Sequence, residues 1–272
     1  MEDLPKEVTW LSGMPRSGTT WLSQVFASAP DVRLKFCPLF SYEFKNKLDE
    51  TASREDWIQL FRDTYHCRSE YLDQDYLRKQ GLVPTFPEKS APPHLVIKST
   101  RFHNLMPHLL ARHGGIQLVH IVRDPRASIH SWLTNAFEFP KGADPQSEWR
   151  SGDCRKTGPG EFWGFDDWKW VNSNALRLQR AYPERVAILQ YEDLTADPGA
   201  EIEALFAFCG IEFHSQTAEF LSVSQSKHST NKRSVFKNPE RTIGWQGALD
   251  AEIAALCEQE TRDTELSVFL RS

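Results

Sequence analysis

Four short apolar runs rich in β-branched residues, each followed by a stretch of helical period, constrain this chain more than any other feature. The runs are "VTWLSG" (Val8 to Gly13), "LVIK" (Leu95 to Lys98), "IQLVHIV" (Ile116 to Val122) and "RVAILQY" (Arg185 to Tyr191). A helix opens at Gly18 to Ala29 behind the first, and at His103 to Arg112, Pro125 to Ala136 and Gly199 to Cys209 behind the others. Apolar strands alternating with helices predict an α/β fold, a central parallel sheet with helices on both faces. Ligands of such sheets sit at the carboxyl ends of the strands, where this chain places its loops. A length of 272 residues, 25% charged and 40% hydrophobic, suits a single domain over 1–272 that buries its core without staples.

The charge and cysteine balance narrows the function classes. A formal net charge of -5 speaks against general nucleic-acid binding, though it leaves room for a local basic pocket. Cys37, Cys67, Cys154, Cys209 and Cys257 are odd in number and widely spaced, with no C-x-x-C pair. That argues against a disulfide framework and a zinc site, so no metal is expected, and it points to a reducing, cytoplasmic setting. No apolar run reaches membrane-spanning length, and no membrane span is expected.

The first run feeds "GMPRSGTT" (Gly13 to Thr20), the frame of a phosphate cradle between a strand and a helix. Backbone N–H groups of such a loop and the helix N-terminus behind it converge on an anion. Ser17, Thr19 and Thr20 add hydroxyls, and Arg16 adds a fixed charge. In an ATP-using loop a lysine reaches the β/γ-phosphates, but here that position is Thr19. "LVHIVRD" places Arg123 before Asp124, a cation where a magnesium-holding carboxylate would be expected. A donor without a γ-phosphate needs neither the lysine nor the metal.

"PRSGTTWL" (Pro15 to Leu22) resembles the 5′-phosphosulfate loop of the sulfotransferase family, whose phosphate-loop-like fold binds 3′-phosphoadenosine-5′-phosphosulfate. "IVRDPRASIHSW" (Ile121 to Trp132) resembles the family's second signature, an arginine at a strand end and a serine eight residues later, here Arg123 and Ser131. "QYEDL" (Gln190 to Leu194) is similar to a third element that packs beside the nucleotide. The resemblance covers about Thr9 to Leu194 well and the remainder loosely. It implies that Arg16, Ser17, Gly18, Thr19, Thr20 and Trp21 bind the 5′ end of this co-substrate, Arg123 and Ser131 its 3′-phosphate, and Tyr191 its base side. Arg16 in the loop, the "VRDPRA" segment and "ERTIGWQGALDAEIAALC" (Glu240 to Cys257) look more like the carbohydrate and tyrosyl-protein branch, or its bacterial relatives, than the cytosolic aryl branch. In place of the family's closing loop on the 3′-phosphate, Lys232 and Arg233 are candidates; a solvated charge run is the alternative.

Sulfuryl transfer resembles phosphoryl transfer, so the protein's work is positioning and charge stabilisation. Arg16 is placed to act electrostatically, because a guanidinium stays protonated. Lys98 in "VIKST" matches the second lysine of the family's "IKTH" motif and would contact the transferred group. The general base is open. Thr100 occupies the place of the aryl enzymes' histidine, and Cys37 falls where the carbohydrate branch tends to have its glutamate. His103 is the first candidate, followed by Glu43 and Glu88.

Phe137 to Trp163 lacks periodicity and reads as a substrate-side loop or lid. With "EFWGFDDWKW" it concentrates Trp149, Trp163, Trp168 and Trp170, faces that suit a saccharide or small-molecule acceptor. Phe165, Trp168 and Val171, at helical spacing, read as core, while Trp149 and Trp163 are open. Two rivals stand beside this reading: a phosphate-loop kinase, and a non-catalytic nucleotide-binding relative.

Overall fold

A computed structural model describes residues 5–227, 231, 234–236 and 244–271. Lys232 and Arg233 lie outside the described residues. Five parallel strands, β1 (Glu7–Ser12), β2 (Val32–Phe36), β3 (His94–Ser99), β4 (Ile116–Val122) and β5 (Val186–Gln190), form one sheet in the order β2-β3-β1-β4-β5. The helices are α1 (Thr19–Ser28), α2 (Arg54–His66), α3 (Asp75–Lys79), α4 (Met106–Arg112), α5 (Pro125–Leu133), α6 (Pro145–Glu148), α7 (Gly164–Ala181), α8 (Tyr191–Ala196), α9 (Pro198–Cys209), α10 (Ser215–Ser226) and α11 (Ala251–Arg262).

The predicted α/β sheet is the one observed, and its strands show why apolar runs were needed. Successive residues of a strand point to opposite faces. On β1, Val8 and Trp10 join one core cluster and Leu11 another; on β3, Leu95 and Ile97 oppose Val96; on β4, Ile116 and Leu118 oppose Val119 and Ile121. The first cluster is closed by Trp57, Leu60 and Phe61 of α2, with Trp57 edge-on to Trp10 at 5.8 Å. The second is closed by Leu22, Val25 and Phe26 of α1 with Ile202, Leu205 and Phe206 of α9.

Several elements differ from expectation, and two of them border the cavity. β2 hides in the sequence because "VRLKF" carries two cations; Lys35 is nonetheless 1% exposed, its Nζ 2.7 Å from Asp73. The helix expected over Pro125 to Ala136 stops at Leu133, and two residues on the Asn135 Oδ1 accepts from the Phe137 N–H at 3.1 Å. None of the helices among the described residues is long and apolar enough to cross a membrane.

Strand order decides where the chemistry gathers. β1 lies between β3 and β4, with Leu11 beside Lys98 and Ser12 beside His120. The chain leaves β1 toward one edge and β4 toward the other, so the crevice beyond their carboxyl ends is a switch point.

Candidate active site

All five strands lead into one cavity of about 700 Å³ at their carboxyl ends, lined by Phe36 at the end of β2, Lys98 of β3 and Thr100 after it, the Arg16 loop after β1, Arg123 after β4 and Tyr191 after β5. That volume is within the usual range for a small-molecule site. The loop's two framing glycines are required by contact. A Cβ on Gly18, at φ +92°, would lie 2.3 Å from the Tyr191 ring, and one on Gly13 would lie 2.7 Å from Ile121. Arg16 holds φ +73°, a left-handed conformation that costs a non-glycine residue about 1 kcal/mol or more. The Ser17 N–H closes the turn on the Met14 carbonyl at 3.2 Å.

The residues expected on the 5′ and 3′ ends of the donor meet here. Arg16 Nε donates to Ser131 Oγ at 3.1 Å, and Arg123 Nη1 donates to the Arg16 carbonyl at 3.2 Å. The Arg123 guanidinium stands 4.8 Å from the Tyr191 ring centre. Gly18, Thr19, Thr20 and Trp21 also line the cavity, and Trp21 Nε1 donates to Ser224 Oγ of α10 at 3.1 Å. Lys98 Nζ donates to Thr20 Oγ1 at 2.8 Å and lies over the Phe36 ring; burial draws its pKa down to about 8. Burial also lowers Arg16, with Glu138 at 3.6 Å partly opposing it.

Two polar atoms test the fit to an anionic ligand. Ser17 Oγ and Arg123 Nε are buried donors without a partner among the described residues. Leaving such a group unsatisfied costs on the order of 1–3 kcal/mol; Arg123 lines the crevice, where a phosphate oxygen would relieve it, while Ser17 lies in the loop outside the lining. Among the described residues, no group of His, Cys, Asp and Glu is placed to hold a metal ion. Asp124 instead caps α5 and grips Arg126 through Nε at 3.0 Å and Nη2 at 2.6 Å, so its carboxylate is committed to structure.

His103 is not brought to the crevice. It is 1% exposed, its Nδ1 is 3.1 Å from Ser12 Oγ, and its ring packs against His120 and Phe162. Burial, with His120 adding to it, lowers its pKa to about 3. Phe102, at φ +59°, and the short 3-10 turn His103–Leu105 seat the imidazole in the interior, a reversal invisible to residue spacing. Glu43 and Glu88 are exposed and do not line the cavity; Glu88 faces Arg68 at 3.9 Å. Cys37 is 1% exposed beside Ser99, and burial pushes its thiol pKa up.

The carboxylate that does line the cavity, alone among the described residues, is Glu138, which residue patterns did not single out. The cavity is also lined by Phe40, Tyr71, Arg101, Arg155 and Trp163. The Arg101 guanidinium lies 3.6 Å over Phe40 and pairs with buried Glu161. The segment 137–163 is packed rather than featureless. Trp149 stacks on Phe165 at 5.7 Å and Trp163 lies 5.7 Å from Trp132, both buried, and Trp163 still reaches the cavity. Trp168 is core, its Nε1 donating to the Arg123 carbonyl at 3.1 Å, while Trp170 is 47% exposed.

A glycine-framed loop at the switch point of a parallel sheet, with a second basic residue at the end of the neighbouring strand, defines a phosphate-loop-like fold of the α/β class. The chain belongs to the sulfotransferase family, whose model matches residues 10–215. It is 26% identical over 178 residues to carbohydrate sulfotransferase 6 of Homo sapiens, covering 57% of this chain and 42% of that protein. It is 27% identical over 168 residues to carbohydrate sulfotransferase 5 of Mus musculus, covering 54% and 39%. The chain thus spans about two-fifths of the length of these curated relatives. The same fold is seen in the sulfotransferase domain of the Synechococcus PCC 7002 olefin synthase, with a TM-score of 0.53, 17% identity and 97% of each chain covered. It is seen again in mouse sulfotransferase SULT7A1 complexed with PAP, with a TM-score of 0.57, 15% identity, and 98% of this chain and 88% of that one covered.

Proposed function

We propose that this chain transfers a sulfuryl group from 3′-phosphoadenosine-5′-phosphosulfate to a hydroxyl or amine of a carbohydrate or small-molecule acceptor. The observation that carries the reading is the convergence of Arg16, Thr20, Arg123 and Ser131 on one cavity, with the buried Arg123 Nε left for a ligand. Arg16 and the loop N–H groups would hold the 5′ end, and Arg123 and Ser131 the 3′-phosphate, with Tyr191 and Trp21 flanking the base. Lys98 would face the transferred group from β3. When bound, the donor supplies the activated sulfuryl group; these side chains orient it and neutralise the charge that gathers on the leaving phosphate. The aromatic acceptor side and the carbohydrate sulfotransferase relatives support a saccharide or similarly hydroxylated acceptor. A cytoplasmic location is part of the proposal, supported by five unpaired cysteines.

Calorimetry with 3′-phosphoadenosine-5′-phosphate, ATP and AMP separates this reading from a kinase. Wild type is expected to favour the 3′-phosphorylated nucleotide, and Arg123→Ala to lose about 2 kcal/mol of that preference, the worth of a charge-assisted pair. A variant that discriminates as well as wild type removes Arg123 from the 3′-phosphate, and wild-type preference for ATP removes the reading as a whole. The buried, neutral Cys37 favours a second reading, a relative that binds the nucleotide without turnover. Turnover of labelled donor decides between them.

A further inference from the structure

Neither the position where the carbohydrate branch tends to carry a glutamate nor the first histidine candidate supplies a usable base: Cys37 and His103 are each 1% exposed and outside the cavity lining. The cavity nevertheless contains one carboxylate among the described residues, on a turn built to hold it. Asn135, fully buried, accepts from the Phe137 N–H at 3.1 Å through Oδ1 and donates from Nδ2 to Glu138 Oε2 at 3.1 Å. Its carbonyl accepts from the N–H groups of Glu138 at 2.9 Å and Phe139 at 2.8 Å. Phe139 then packs edge-on to Trp132 at 5.3 Å, anchoring the far side of the turn. The result is a carboxylate 3.6 Å from Arg16 Nε on the cavity lining.

We propose that Glu138 is the general base of the transfer, supplied by the turn after α5 instead of the segment after β2. The inference rests on the sulfuryl-transfer reading and adds to it the group that accepts the proton. The acceptor's O–H bond breaks with its proton passing to the Glu138 carboxylate, and a bond forms from that oxygen to sulfur. The bond from sulfur to the 5′-phosphate oxygen breaks, and its electron pair leaves on the nucleotide. The charged groups facing Glu138 are Arg16 from the loop after β1, Lys98 from β3 and Arg101 beyond it; its charge opposes the burial-driven lowering of all three. His130 of α5 lines the same cavity. Arg16 therefore lies between the base and the leaving group, positioned to neutralise one and orient the other.

The test compares wild type, Glu138→Gln and His130→Gln in two measurements. One is affinity for 3′-phosphoadenosine-5′-phosphate by calorimetry. The other is release of labelled sulfate from the donor to water, N-acetylglucosamine and 4-nitrophenol as a function of pH. Glu138→Gln is expected to lose about 100-fold or more in turnover, the usual worth of a positioned base, together with the acidic limb of the pH profile. Its nucleotide affinity is expected to stay within about threefold of wild type or to tighten, because a charge that competes for Arg16 is gone. The assignment is overturned by turnover and pH profile unchanged in Glu138→Gln, by an equal loss of nucleotide affinity, or by the acidic limb vanishing in His130→Gln instead. Wild type that binds the nucleotide yet releases no sulfate to any of the three also overturns it, while leaving the nucleotide site intact. Wild type with no affinity for the 3′-phosphorylated nucleotide overturns the underlying reading.

Discussion

Gly18 shows how much of the site is decided by a missing side chain. Its φ of +92° and the Tyr191 ring 2.3 Å from where a Cβ would be exclude every other residue without movement of β5's end. Gly18→Ala is expected to reduce affinity for 3′-phosphoadenosine-5′-phosphate by about 100-fold, because the loop N–H groups turn away from the crevice. The same change is expected to cost about 1–3 kcal/mol in urea unfolding from the strained backbone. Calorimetry showing an unchanged nucleotide Kd would mean that the loop does not hold the anion. Arg16 was legible at this scale from its place inside the loop. Glu138 was not: the chain has 37 acidic residues, and nothing in "NAFEF" marks one of them as facing a cavity.

At the scale of elements, the segment 137–163 carries its own architecture. Gly152 and Gly164 cross closely: a Cβ on Gly164, at φ +82°, would lie 2.5 Å from the Arg150 carbonyl, and one on Gly152 2.6 Å from the Trp163 backbone. The crossing is tied by N–H groups of Phe165 and Asp166 donating to the carbonyls of Trp149 and Arg150 at 2.9 and 3.0 Å. Gly164→Ala is expected to open it at a cost of about 2 kcal/mol or more and expose the segment to trypsin at Arg150, Arg155 and Lys156. Limited proteolysis is the check; a cleavage half-life equal to wild type would show that the crossing does not hold the segment. The aperiodic composition that reads as a lid reflects backbone-to-backbone packing, which hydrophobic period does not register.

Over the whole molecule, burial of neutral histidines couples stability to pH. His103 and His120 have pKa values lowered by burial from 6.5 to about 3 and about 4. Between pH about 6.5 and about 4 the unfolded chain binds protons that the folded chain refuses, so stability falls as pH falls through that window and is fully present above it. The slope is on the order of 1 kcal/mol per pH unit per histidine. Urea midpoints from pH 7 to about 4.5 are expected to drop steeply in wild type and less steeply in His103→Gln. Equal slopes in the two would contradict this account of His103 as a neutral core residue.

Four of the five strands, the helices behind them and the glycine-framed loop were decided by local sequence, because apolar period, β-branching and the positive-φ glycine act over a few residues; β2, with its two cations, was not. Two anchors more than a hundred residues apart were also readable, since each ends a strand. Their meeting was not: it follows from β4 pairing beside β1, with Ser12 opposite His120, a choice made by the sheet. The same holds for the base. Cys37, His103 and Glu138 differ in function through burial and orientation, quantities that exist only once the five strands have closed on their two layers of helices and left a crevice at their ends.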